Sequence, residues 1–152
     1  MALGTNLPTY PAIVFTYFEP VTILIGWITA LMDPASFLSR QLPIPPPPAS
    51  ITPHAIIMTT SIANMFLMQA LISLLLTVAT REPRLTKYYL ALASIGDLGH
   101  IWANYSGMPS EVFWNFGAYN DMMVGNVFFS VFLWAMRMGT LSGVFGEIGR
   151  DS

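Results

Sequence analysis

The chain has 152 residues, of which 54% are hydrophobic and only 9% charged, whereas soluble domains carry about 25% charged residues and use them to cover their surface. The formal net charge is −2, and with no basic stripe to follow phosphates no nucleic-acid partner is expected. The absence of cysteine excludes disulfides, thiolate catalysis and cysteine-ligated metal sites. The two histidines show no His-x-x-x-His spacing, so no zinc motif is present.

Taken in chain order, the apolar runs predict an all-α integral membrane protein, an antiparallel four-helix bundle forming one domain over residues 1–152. Met1 to Tyr10 contain no Lys or Arg; without that basic region the first span reads as retained rather than as a cleaved signal. This span, about residues 11–32, holds a single charge, Glu19, followed by Pro20. Proline inside a helix removes a hydrogen bond and crowds the carbonyl four residues back, here Thr16. A kink is therefore expected beside Glu19, with a freed carbonyl near the carboxylate. Residues 33–53 read as a proline-rich loop, with Pro43 and Pro45 to Pro48 in extended polyproline II.

The second span, about 54–80, has no charge; Thr60 and Asn64 share a face, and Gln69 points elsewhere. A short charged connection follows, with Arg81, Glu82, Arg84 and Lys87. The third span, about 88–106, holds the densest polar constellation, Gly96-Asp97-Leu98-Gly99-His100 with Asn104. Positions 97, 100 and 104 fall on one helical stripe. Gly96 and Gly99 remove bulk beside it, so a helix or a ligand could approach closely. The fourth span, about 115–137, opens with Tyr119-Asn120-Asp121. Arg137 reads as a cytosolic anchor whose stem snorkels to the interface.

Charge asymmetry orients the bundle. Arg81, Arg84, Lys87, Arg137 and Arg150 share the side of the termini, against Arg40 alone on the other, and the positive-inside rule makes the first side cytosolic. Trp102, Tyr105, Trp114 and Tyr119 are expected at the far interface.

Ionisable groups inside a bilayer mark function by default, because each costs roughly 2.5–3.5 kcal/mol on insertion scales. At about 1.5 Å per residue, Glu19 and Asp97 lie about 12 and 14 Å in from one face, with Asn64 about 15 Å and Asp121 about 9 Å in from the other. One shared cavity is the expectation, with Glu19, Asp97, His100 and Asp121 as catalytic groups. An Asp–His pair can fix an imidazole tautomer and raise its basicity. An unpaired buried carboxyl is favoured as its neutral acid, and a neutral acid facing a base lets one site donate and accept protons. Epoxide opening, alkene isomerisation and terpene cyclisation all use such a site. No cofactor motif accompanies these residues, and no metal or other cofactor is expected.

Tyr17-Phe18-Glu19-Pro20, Ile62-Ala63-Asn64, Gly96-Asp97-Leu98-Gly99-His100 and Asn120-Asp121 with Gly125-Asn126 resemble a fungal family of small four-helix membrane proteins, largely catalogued as a domain of unknown function. The resemblance covers about residues 8–144. It implies a membrane epoxide hydrolase or cyclase of aurovertin- or citreoviridin-type polyketide biosynthesis, located in the endoplasmic reticulum and acting on an apolar small molecule drawn from the lipid bilayer. Tyr17, Asn64, Asn104, Tyr119 and Asn120 are expected to bind the substrate. Membrane sterol isomerases and fungal terpene cyclases are more loosely similar. A lipid-binding or helix-scaffold protein is the non-enzymatic alternative.

Overall fold

The computed structural model describes residues 4–44, 46–47 and 50–149. Among these residues every regular element is helical: α1 Thr9–Met32, α2 Pro34–Ser39, α3 Pro53–Ala79, α4 Pro83–Gly107, α5 Ser110–Phe113 and α6 Asp121–Leu141. Three of them, α1, α3 and α6, are long and apolar enough to cross a membrane. The 25-residue α4 is as long, but its charged first turn and its polar stripe lower its hydropathy.

The proline in α1 is absorbed by a widened turn. Ile13–Phe18 is π-helical, and the Glu19 N–H donates to Val14 O, five residues back. In that register the next acceptor is Phe15 O, which Pro20 has no N–H to reach. Ser73 Oγ of α3 donates to it instead, at 3.2 Å. The freed carbonyl beside Glu19 is thus real, and it is Phe15 rather than Thr16 that is seen to take an outside partner. Comparable π turns occur at Leu75–Ala79 and Gly125–Phe129.

Capping residues set several boundaries. Asp33 Oδ1 accepts from Ser36 N at 2.9 Å and Pro34 opens the helix, so α2 stands where a continuous loop was expected. An Asp cap with Pro at the first helical position is a helix start, here outweighed in the sequence by the prolines that follow. Pro43, Pro46 and Pro47 are non-helical; Pro45, Pro48 and Arg150 lie outside the described residues. α4 begins at Pro83, with Glu82 as its cap, so the charged connection is partly helical. α6 begins at Asp121, because Asn120 Oδ1 accepts from Met123 N at 2.9 Å.

The helices pack as two pairs. α1 lies against α3, with α2 resting on both, and α4 lies against α6. Ala30, Ala63 and Ala70 are buried; small residues of this kind let backbones close up where lipid offers no hydrophobic drive. Met32, Leu71 and Ile95 are exposed apolar side chains off the cavity wall.

One core joins the pairs at the end that carries both termini. Leu7, Phe15, Tyr89, Leu90, Leu133 and Ile148 pack there. Asn6 Nδ2 donates to Thr80 O and Thr86 Oγ1, both at 3.2 Å, and Gly149 N donates to Asn6 O at 2.7 Å. Gly149 has φ +83°, and a Cβ there would sit 2.3 Å from Pro83 Cγ, so no larger residue fits. The residues after α6 therefore close the bundle. At the opposite end Trp102, Tyr105, Trp114, Phe116 and Tyr119 form a chain of ring contacts, the expected aromatic cluster.

Candidate functional site

Arg137 is the centre of the site, and the sequence reading had it as an anchor. It is 1% exposed; one guanidinium nitrogen donates to Glu19 Oε1 and the other to Asp97 Oδ2. Its guanidinium carbon lies 5.2 Å from the Phe15 ring centroid, a cation–π distance. A residue one turn from the end of a helix snorkels outward by default. Helical side chains, however, tilt toward the N-terminus of their helix. For α6 that direction leads away from the termini and into the bundle, where two carboxylates wait.

The ion triad ties α1, α4 and α6 together at one point. Breaking a buried pair by removing one partner typically costs about 3–5 kcal/mol, so Arg137 is a structural clamp as well as a chemical group. Glu19 is 2% exposed and Asp97 keeps 12% of its side chain accessible. Glu19 Oε2 and the Tyr89 hydroxyl are buried without a hydrogen-bond partner.

Between the two helix pairs lies a cavity of about 870 Å³, walled mainly by apolar side chains. Glu19, Asp97, His100 and Asp121, the four expected catalytic residues, all line it. They do so as separate groups. Asp97 is paired with Arg137, and the described contacts include no Asp97–His100 bond. Asp121 sits at the rim, where Arg40 bonds both of its oxygens with side chains 42% and 76% exposed. That bond raises the proton affinity of Arg40.

The rim is also a latch. Asn120 Nδ2 donates to Arg40 O at 3.0 Å and Leu42 O at 3.1 Å, and Asn126 Nδ2 donates to Gln41 Oε1 at 2.6 Å. Asn120, expected to touch substrate, instead fastens residues 40–42 onto the start of α6.

The other expected binding residues lie off the cavity wall. Tyr17 is 52% exposed. Asn104 Nδ2 donates to His100 O within its own helix, and the Tyr119 hydroxyl donates to Phe113 O. Asn64 is exposed, whereas Met65, Phe66, Gln69, Ile72 and Leu76 of α3 face the cavity. The second span thus presents Gln69, not Asn64: the facing stripe starts one residue later, a rotation of about 100°. Gly96 borders the cavity with open space where a Cβ would stand, room on the ligand side rather than a helix contact. Among the described residues, no three His, Asp or Glu side chains converge to hold a metal.

Comparison with known proteins adds one match. The family model "Domain of unknown function (DUF7704)" matches residues 4–147, and the chain belongs to that family. No curated protein and no solved structure matches it.

Proposed function

We propose that this DUF7704 member is a membrane-embedded enzyme of fungal secondary metabolism that opens an epoxide on an apolar, polyketide-derived substrate by general acid–base catalysis. The observation that carries the reading is the carboxylate pair Glu19 and Asp97, held by one guanidinium against a largely apolar cavity. A volume of about 870 Å³ falls within the roughly 300–1,000 Å³ of small-molecule sites. In this reading the four long helices form an antiparallel bundle across the endoplasmic reticulum membrane with the termini cytosolic. A glycosylation acceptor added after Ser152 then stays unmodified.

Two carboxylates facing one guanidinium reach electrical neutrality with a single proton between them. Asp97, the more accessible, is the base, and Glu19 holds the proton. As water or a substrate hydroxyl attacks the epoxide carbon, Asp97 takes the nucleophile's proton. The carbon–oxygen bond breaks and the leaving oxygen takes the proton of Glu19. The product is a diol or a hydroxylated cyclic ether, and the proton now on Asp97 returns to Glu19 by way of solvent or His100. Asp121, fastened to Arg40 at the rim, is left out of the chemistry.

The test is expression in microsomes with polyepoxide substrates in isotopically labelled water. Labelled diol indicates hydrolysis, and unlabelled cyclic ether indicates attack by a substrate hydroxyl. Wild type is expected to form one of them and Asp97→Asn to form neither. If wild type leaves epoxides untouched but rearranges an alkene or terpene, the same carboxylates serve an isomerase or cyclase. A functional effect in cells that survives Asp97→Asn assigns the lipid-binding or scaffold role.

A further inference from the structure

The inner end of the cavity sets two carboxylates, Glu19 and Asp97, against one guanidinium, so it is neutral only with a proton on the pair or a cation bound beside it. Facing it are Glu19 from α1, Asp97 and His100 from α4, and Asp121 from α6, with Arg40 from the segment after α2; the α3 residues on the wall carry no charged group. Arg137 lies behind Glu19 and Asp97 and pairs with both. Arg40 and Asp121 cancel at the rim, leaving two carboxylates against one guanidinium inside. An unbalanced charge out of water is costly and is neutralised by a proton or by a counter-ion.

The free hydrogen-bonding groups point the same way. Among the described residues, the buried side-chain atoms Thr16 Oγ1 and Arg137 Nε lack partners but belong to residues that do not line the cavity, whereas Glu19 Oε2 and the Tyr89 hydroxyl belong to residues that do. A carboxylate oxygen only accepts, and a phenol oxygen can accept. Tyr88, Phe66 and Phe129 add ring faces to the wall, and such faces attract cations.

We propose that the cavity is a binding site for a lipophilic monocation, an ammonium head on a long apolar body. Its N–H groups bond Glu19, Asp97 and Tyr89 while the body lies along the apolar walls toward the rim. The same site disfavours amphiphilic carboxylates and phosphates, which meet acceptors and net negative charge. A bound ammonium takes the place of the proton assigned to Glu19 above, so the amine should also inhibit any acid–base chemistry in the cavity.

The test uses the purified full chain in lipid nanodiscs with a photoreactive long-chain dimethylamine, against the alcohol and the carboxylate of the same chain. The amine is expected to label α1 and α4 peptides around Glu19, Tyr89 and Asp97 and to raise the thermal midpoint. The alcohol and carboxylate should bind at least about tenfold more weakly, a difference of about 1.4 kcal/mol. Glu19→Gln and Asp97→Asn should each lose the amine preference, while Glu111→Gln keeps it. Equal labelling by the alcohol, stronger labelling by the carboxylate, label outside the cavity, or unchanged binding to Glu19→Gln overturns the proposal. If neither cavity variant folds, the three-ligand competition on wild type decides alone.

Discussion

Two arginines in this protein make the same chemical contact in opposite settings. Arg137 holds Glu19 and Asp97 with side chains 1%, 2% and 12% exposed, whereas Arg40 holds Asp121 with side chains 42% and 76% exposed. Buried, a guanidinium becomes indispensable because its carboxylates have no water to fall back on. At the surface the same pair is screened and replaceable. The difference separates a clamp that defines the bundle from a latch that only positions a segment.

The largest effect is expected from breaking the clamp. Arg137→Met leaves two buried carboxylates uncompensated and should cost about 3–5 kcal/mol, read as loss of a cooperative thermal transition in detergent. Adding Glu19→Gln and Asp97→Asn to Arg137→Met should recover most of that stability without recovering activity, because a buried ion triad exchanged for neutral groups is often tolerated. A triple variant as unstable as Arg137→Met would show that packing of the arginine stem, not charge, holds the helices.

Asp97→Asn should separate chemistry from fold. Acid–base steps contribute about 10²–10⁴-fold in rate, so epoxide opening should fall by that range. Cooperative unfolding should remain, since Asn still accepts from Arg137. Loss of activity below tenfold would move the base elsewhere, His100 first.

Salt sharpens the comparison further. Raising ionic strength to 1 M shortens the screening length to about 3 Å. Protease cleavage after Arg40 is expected to quicken, while the thermal midpoint set by Arg137 stays fixed. The smallest effect belongs to Arg40→Ala. Its thermal midpoint should match wild type, and the change should appear only as faster chymotryptic cleavage after Phe37 or Leu38, since the variant has no basic residue left in 33–44.

Glu19 and Asp97 were legible in the sequence because a charge inside an apolar span has few explanations, and depth counting brought them to one level. Their link to Arg137 was not legible. The reading took proximity to a helix end as proximity to water, although side-chain tilt sends this residue the other way. His100 was paired with Asp97 on stripe geometry alone, yet a stripe only makes two residues neighbours, and the arginine was the stronger partner for the carboxylate. On α3, Asn64 and Gln69 could not be ranked without the face that α1 covers. The role of the last residues was hidden because Gly146, Ile148 and Gly149 have no periodicity; what fixes them is far away in sequence, Pro8 beside Gly146, the core around Ile148, and Asn6 and Pro83 at Gly149.

Arg137 follows Glu19 by 118 residues, and this separation has a consequence for biogenesis. Translation proceeds from the N-terminus, so α1 and its acid are made long before the balancing cation. During that interval the nascent protein is an unfinished assembly, with α1 and α3 able to pair while Glu19 and then Asp97 await neutralisation. Final docking of α6 then acts as a checkpoint at the end of synthesis. Chains stopped before Met136 are expected to be cleared from membranes faster than the full chain in a pulse–chase experiment, and equal lifetimes would show that the bundle matures without its last helix.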